Sequence, residues 1–282
     1  MHLAIFFGSF FILIIHVTCN AAGIIKCKDF TGKVVYTQSQ SDCSGNIELK
    51  EVEVSSRSAL SAKAKVSYRT PQREYVREKG KWDIHVEAAL LKGDPVLYRS
   101  SLNKLNVVLD DIFSILPLRP SQELSDLTIF LMWGKNSPDG GRKSGMSYIR
   151  KGEPANYSYL DPGWEHSLVI YSAENLMYLN NLWSRKAIVH ELSHAWHITN
   201  WPERHPPIYG PWIRTQQSNR YQNVQDIKGK TIKNAYARKN QLEYFAELSA
   251  IYFVGGNYYP YNRKRLEMYD PEGYGMVKTL WH

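Results

Sequence analysis

The sequence predicts an α+β domain that is preceded by a small β-hairpin module. Two observations predict the main domain: apolar residues recur at helical spacing before Pro117, and short apolar, β-branched runs follow them. A third observation predicts the hairpin, because strand-like residues flank a Thr31-Gly32 turn near the N-terminus. With 282 residues, 43% of them hydrophobic, the chain is long enough to bury a sizeable core.

The chain begins with an apolar run from Leu3 to Val17, and small residues follow it. This run is shorter than the roughly 20 residues that a membrane-spanning helix needs, so it is typical of a signal peptide. We assign residues 1–21 to that peptide, with cleavage after Ala21. The mature chain is therefore expected to be secreted, or exported to the periplasm or cell envelope, without a transmembrane segment.

Two cysteines, Cys27 and Cys43, remain after removal of the signal peptide, in a chain bound for an oxidising compartment. We expect a disulfide bond between them. It would close a loop of about 16 residues and stabilise the fold by roughly 3 kcal/mol. Two unrelated thiols are the alternative.

Residues 22–54 form the predicted hairpin module. The spacing of Lys28-Asp29, Gly32 and Tyr36-Thr37 resembles that of short hairpin domains at the start of many bacterial envelope proteins. Residues 55–81 are rich in Ser, Ala, Lys and Arg and lack periodicity, which predicts a linker. The main domain is then expected to span residues 82–282.

The elements of the main domain follow from its apolar patterns. The predictions are a helix carrying Leu102, Leu105, Leu109, Ile112 and Leu116, strands at 127–133 and 168–171, a helix at 173–182, and a rigid aromatic loop from Trp201 to Trp212. The formal net charge is +8, but the basic residues are scattered. No run of the kind that follows a phosphate backbone occurs, so the composition indicates no nucleic-acid partner.

His190-Glu191-Leu192-Ser193-His194 is the segment that indicates chemistry. Two histidines four residues apart on a helix present their imidazoles on one face, where they can bind one zinc ion. Glu191 would lie beside the open position of that ion and act as a general base on water.

The third metal ligand must come from elsewhere in the chain. His197 is seven residues from His190, about 10 Å along a helix, which is too far for one ion to bind both together with His194. We therefore expect His197 to line the cleft or to support a ligand. The metzincin pattern also fails, because it requires Gly and His where this chain has His197 and Asn200.

Glu243 and Glu247 lie four residues apart in an apolar segment, Asn240 to Leu248. Buried carboxylates need a cation or hydrogen-bond donors. One of them can bind the metal while the other accepts the free ring N–H of a ligand histidine. Structural salt bridges to Arg or Lys are the alternative.

The segment Tyr236-Ala237-Arg238-Lys239-Asn240-Gln241-Leu242-Glu243-Tyr244-Phe245-Ala246-Glu247 resembles the zinc-site helix of the catalytic domain of anthrax toxin lethal factor and its relatives. This resemblance implies a zincin-like fold of the gluzincin type. It implies one zinc ion held by His190, His194 and Glu243, with Glu247 supporting a ligand. It also implies that Tyr236 stabilises the transition state.

A wider stretch, Leu168 to Trp281, resembles a family of secreted metallopeptidase-like proteins. The matching residues are Ile170 to Asn175, His190 to His197, Asn257 to Pro260 and Asp270-Pro271. Residues before Trp133 match poorly, so the resemblance implies no particular substrate.

These observations predict an exported zinc metallopeptidase that acts on a peptide or protein substrate. One alternative keeps the metal centre but cleaves cell-wall crosslinks or another amide. A second alternative is a non-catalytic envelope protein whose zinc-stabilised cleft holds a partner chain. Glu191, Tyr236 and Glu247 argue against the second, because a pure binding protein needs neither a base nor an oxyanion donor beside the metal.

Overall fold

The structure, a computed structural model, describes residues 25–28, 34–37, 73–157 and 159–282, with side chains from residue 73 onward. The chain divides into two units, residues 1–64 and 65–282. Three predictions lie outside the described residues: the signal peptide 1–21, the Cys27–Cys43 disulfide, and the linker up to residue 72.

In the first unit, β1 (Ile25–Lys28) pairs antiparallel with β2 (Val34–Thr37), as a hairpin requires. The strands of the second unit are β3 (Tyr75–Glu78), β4 (Ile84–Glu87), β5 (Thr128–Leu131), β6 (Met146–Ile149), β7 (Ser167–Ile170), β8 (Asn223–Gln225) and β9 (Thr231–Lys233). Its helices are α1 (Ala88–Gly93), α2 (Pro95–Phe113), α3 (Leu118–Ser125), α4 (Glu153–Asn156), α5 (Ala173–Tyr178), α6 (Asn181–Asn200), α7 (Pro206–Gln217), α8 (Gln241–Phe253), α9 (Arg263–Tyr269) and α10 (Pro271–Trp281). The second unit is thus a mixed α+β domain, in agreement with the predicted class.

The second unit is built on a five-stranded sheet in the order β3-β4-β5-β7-β6. Strands β4, β5 and β7 run parallel, whereas β3 and β6 pair antiparallel with their neighbours. In the β6–β7 pair, Met146 lies opposite Ile170 and Tyr148 opposite Leu168. Strand β6 is therefore an edge strand with one side free for other contacts.

Both faces of the central strands are buried, because their side chains alternate between two apolar clusters. In β5, Ile129 and Leu131 belong to the larger cluster and Phe130 to the smaller one. In β7, Leu168 belongs to the larger cluster and Val169 to the smaller one. This double burial explains why both strands read as continuous apolar runs in the sequence.

Helices α6 and α8 pack against each other beside the sheet, and both are rich in buried residues. Each begins at a capping asparagine, whose side chain satisfies a backbone N–H of the first turn. The side-chain oxygen of Asn180 accepts from the backbone of Trp183 at 3.0 Å, and that of Asn240 accepts from the backbone of Glu243 at 2.9 Å. The caps fix where the two helices start and hence which side chains face each other.

The predicted linker, residues 55–81, is too long at its C-terminal end. Strand β3 lies within it and pairs with β4, with Val76 opposite Val86. Residues 75–78 alternate weakly and contain two charged residues, so nothing local marks them as a strand. The pairing partner supplies the ordering, which is typical of an edge strand.

Two further boundaries differ from the sequence prediction. The helix predicted at 173–182 is two helices, because Asn180 leaves the helical conformation and caps α6. The loop predicted from Trp201 to Trp212 becomes helical at Pro206, where proline occupies the first turn of α7 and loses no hydrogen bond. Among the helices of the described residues, none is both long and apolar enough to span a bilayer.

Asp270 should be essential for the stability of the second unit. Its fully buried carboxylate accepts hydrogen bonds from the hydroxyl groups of Tyr221 and Tyr244, at 3.1 and 2.6 Å, and pairs with Arg220 at 3.2 Å. Asp270→Ala leaves these donors unpaired, so we expect a loss of about 3–5 kcal/mol in the free energy of unfolding, measured by urea denaturation.

Glu272→Ala is the matched control, because Glu272 lies two residues away but pairs with Arg214 on the surface. Its expected cost is below about 1 kcal/mol. Equal losses for the two variants would contradict the role assigned to Asp270.

Candidate metal centre

The side chains of His190, His194 and Glu243 converge on one point between α6 and α8. Nε2 of His190 lies 3.1 Å from Nε2 of His194 and 3.0 Å from Oε2 of Glu243, and Nε2 of His194 lies 3.2 Å from the same oxygen. The cluster could hold a metal ion. Because the histidines are four residues apart on α6, both rings face the first turn of α8, where Glu243 lies.

The spacing of these atoms fits a small divalent cation. Ligand atoms about 2.0–2.1 Å from a tetrahedrally coordinated zinc ion lie about 3.3 Å from one another. The three observed distances are slightly shorter, so a small expansion would suffice. Two imidazole nitrogens and one carboxylate oxygen in close contact also require a proton or a cation among them.

The two oxygens of Glu243 have different partners. Oε2 points at the histidines, whereas Oε1 accepts a hydrogen bond from the hydroxyl of Tyr236 at 3.0 Å and pairs with Nζ of Lys239 at 3.1 Å. Lys239 also donates to the Tyr236 hydroxyl at 3.2 Å. This arrangement leaves one oxygen of Glu243 for a metal ion and holds the other away from it.

Glu247 lies one turn further along α8 and is almost completely buried. Its Oε1 accepts from Nδ1 of His190 at 3.0 Å, and the hydroxyl of Tyr258 donates to its Oε2 at 2.6 Å. Nζ of Lys186 lies 2.9 Å from both oxygens. The predicted support of a ligand histidine and the alternative of a salt bridge to lysine therefore occur together at one carboxylate.

Glu191 points toward the sheet edge. Its Oε2 accepts a hydrogen bond from the backbone N–H of Tyr148 in β6 at 2.8 Å. Burial raises the pKa of the Glu191 carboxyl above its ordinary value, although His190 and His194 act in the opposite direction. A carboxylate with a raised pKa is a stronger base, which suits it for accepting a proton near neutral pH.

A cavity of about 670 Å³ opens above the cluster. Its walls are formed by edge strand β6, the turn after it, α4, and the residues just before and at the start of α8. Most of the side chains that line it are polar. The residues that line it are Met146, Ser147, Tyr148, Arg150, Lys151, Gly152, Glu153, Asn156, Tyr157, His190, Glu191, His194, Tyr236, Asn240, Leu242 and Glu243. This cavity thus contains every predicted ligand and both predicted catalytic residues.

The cluster carries strongly shifted pKa values. Burial opposes protonation of His190, but Glu243 and Glu247 outweigh it and raise the pKa of the imidazole to about 10. Burial likewise opposes ionisation of Glu243, yet the two histidines hold its pKa far below the ordinary range. Without a metal ion, the positive charge of His190 therefore balances the carboxylates.

His197 does not occupy its predicted place. Its fully buried ring packs against Phe245, and its Nε2 lies 3.3 Å from the carbonyl oxygen of Pro202. Burial lowers the pKa of this imidazole to about 4. His197 is not among the residues that line the cavity, and its hydrogen-bond partner is Pro202 rather than His190, His194 or Glu243, so its position differs from the predicted one. Seven residues place it two turns from His190, where α6 faces the core.

Sequence reasoning missed three residues at this site: Lys186, Lys239 and Tyr258. Lys239 precedes Glu243 by four residues, so this spacing could have indicated their contact. Lys186 contacts Glu247 on another helix, and its spacing along α6 does not indicate that contact. Tyr258 follows α8 in a loop, and no local pattern connects it with Glu247.

Comparison of the chain with protein-family models gave no match, and comparison with curated proteins gave none either. A fold class such as α+β hosts many functions. The geometry and chemistry of the site are therefore the observations that bear on its function.

Metal binding should release a proton. The pKa of His190 is raised to about 10, so near neutral pH its imidazole is protonated in the metal-free protein, whereas a metal ligand must be deprotonated. Affinity should therefore rise with pH, by at most roughly tenfold per pH unit. Calorimetry in buffers of different ionisation enthalpy counts the protons, and zinc binding without proton release near neutral pH would show that His190 is neutral beforehand.

Proposed function

We propose that this chain is a zinc metallopeptidase with a zincin-like fold of the gluzincin type. The observation that carries the proposal is the convergence of His190, His194 and Glu243, with Glu191 beside them at the wall of an open cavity. Two imidazoles and one carboxylate favour zinc over harder cations such as magnesium. This ligand set agrees with the one that the resemblance to the lethal factor domain implies.

A zinc ion bound here would supply Lewis acidity, acidifying water and polarising the carbonyl of the scissile bond. Glu191 would accept the proton from the attacking water and return it to the leaving amine. Its hydrogen bond to the backbone of Tyr148 holds the carboxylate at the cavity wall.

Tyr236 lines the same cavity and is half-exposed, so its hydroxyl can turn toward a substrate. Burial, followed by the charge of Glu243, raises the pKa of this hydroxyl, which therefore stays protonated at neutral pH. A neutral hydroxyl can donate a hydrogen bond to a developing oxyanion. Lys239 would then remain as the partner that holds Oε1 of Glu243.

The sheet edge supports a peptide as the substrate. Met146, Ser147 and Tyr148 of the antiparallel edge strand β6 line the cavity. An extended chain can bind an exposed edge strand through main-chain hydrogen bonds, whatever its side chains. A chain bound along β6 would enter the polar cavity and bring one of its peptide bonds beside the metal position.

The substrate class can be tested directly. The zinc-loaded chain is incubated with a peptide library and, in parallel, with purified peptidoglycan, each with and without a chelator. We expect chelator-sensitive cleavage of peptides. Cleavage of peptidoglycan crosslinks alone would support the cell-wall amidase alternative, and cleavage of neither would support a non-catalytic binding protein.

Glu191→Gln should bind zinc normally and lose hydrolytic activity by roughly 10²–10⁴-fold. The amide keeps the size of the side chain and an oxygen for Tyr148, but it cannot accept the proton. Zinc content is measured by metal analysis and turnover with the best library peptide. Glu123→Gln on α3 is a remote control and should retain full activity; full turnover by Glu191→Gln would remove Glu191 from the mechanism.

Tyr236→Phe should lower kcat by roughly 10²–10³-fold while changing KM and zinc affinity little. The phenyl ring keeps the cavity wall, and Lys239 still holds Glu243. Steady-state kinetics and metal analysis check this. A loss of zinc with Tyr236→Phe would instead assign the hydroxyl to orienting the ligand.

A further inference from the structure

We propose that Lys186 and Tyr258 are positioning residues of the metal site, which hold Glu247 against Nδ1 of His190 and thereby aim Nε2 of His190 at the metal position. This inference rests on the proposed function, because it names residues that prepare the same site. It concerns side chains that are not among the lining residues of the cavity and whose hydrogen bonds go to Glu247 rather than to the three ligands.

The contacts around Glu247 fix its carboxylate in position and in rotation. Lys186 lies 2.9 Å from both oxygens, and the Tyr258 hydroxyl lies 2.6 Å from Oε2. Only Oε1 faces His190, at 3.0 Å from Nδ1. Since a carboxylate oxygen only accepts, Nδ1 donates its proton to Oε1, and Nε2, on the opposite side of the ring, is the atom that would give up its proton to bind the metal.

The burial of the Lys186–Glu247 pair indicates that its role is to position His190 rather than to stabilise the fold. The side chains of Lys186 and Glu247 are only 8% and 4% exposed. Taking two charges out of water costs as much as their attraction returns, and an apolar pair of similar volume would stabilise the fold equally well. The pair therefore adds little stability, whereas it gives His190 a fixed and ionised acceptor.

A simpler explanation is that Lys186 acts on the metal ion only through its positive charge, and this explanation can be distinguished from a positioning role. A cation near the site repels a metal ion, so if only its field mattered, removing Lys186 would tighten zinc binding. If Lys186 instead positions Glu247, removing it frees the carboxylate and the ring of His190, and zinc binding weakens. The two explanations predict effects of opposite sign.

Zinc affinity of the full chain decides between them, measured at one fixed neutral pH by competition with a chromogenic chelator. We expect Lys186→Met to weaken binding by roughly tenfold, at the lower end of the range for residues behind metal ligands. Lys186→Arg, which can also contact both oxygens, should recover most of the affinity. Lys104→Met is the matched control, since Lys104 is half-buried but donates to the carbonyl groups of Met177 and Leu179.

The proton on Nδ1 of His190 provides a readout that general destabilisation does not mimic. In the zinc-loaded protein it should give a slowly exchanging downfield NMR resonance, assigned by its absence in His190→Gln. That resonance should broaden or disappear in Lys186→Met and persist in Lys186→Arg and Lys104→Met.

Tyr258→Phe keeps all charges and serves if Lys186→Met does not fold. It should weaken zinc binding a few-fold and speed exchange of the same proton. Unchanged or tighter zinc binding in folded Lys186→Met, or an unchanged affinity and resonance in Tyr258→Phe, would overturn the proposal. Either result leaves the proposed function intact if the wild-type chain binds zinc and cleaves peptides, whereas a wild-type chain that binds no zinc would end both.

Discussion

The packing of α6 against α8 is the constraint on which the rest of the site depends. The two helices are separated in sequence by α7 and a two-stranded ribbon, yet their facing sides supply all three atoms of the candidate metal site. Phe245 of α8 packs against the buried ring of His197 of α6, and the capping side chain of Asn240 sets which residue of α8 comes first. A shift of one residue at that cap would rotate Glu243 by about 100° around the helix axis and move its carboxylate away from the two histidines.

Charge balance is the second constraint, because the contact between α6 and α8 buries acidic groups. Glu191, Glu243 and Glu247 face the site or its immediate surroundings, and each has a different compensation. Glu191 has a backbone N–H, Glu243 an exposed lysine, and Glu247 the buried Lys186. Each of the three carboxylates therefore has a partner within the protein, so His190, His194 and Glu243 can hold their positions without a metal ion, which would reduce the cost of binding one.

Sequence reasoning found the residues whose signal is local. The four-residue spacing of His190 and His194, and two carboxylates within an apolar helix, predicted three side chains that converge in the structure. The apolar runs of the buried strands predicted the mixed fold class. Elements that depend on distant partners were missed. Strand β3 is ordered by β4, and α7 follows a proline-rich start that resembles a loop until the first-turn role of Pro206 is considered.

Glu247 makes both contacts that the sequence offered as alternatives, because it pairs with a lysine and also accepts from His190. A salt bridge to lysine and support of a ligand histidine competed for one side chain, but a carboxylate has two oxygens and about four lone-pair sites. A buried carboxylate that accepts from a neutral, metal-bound imidazole still carries its full negative charge, and the imidazole does not neutralise it. A cation or further hydrogen-bond donors must therefore contact the rest of this carboxylate. In Glu247, which accepts from His190, Lys186 and Tyr258 are those partners.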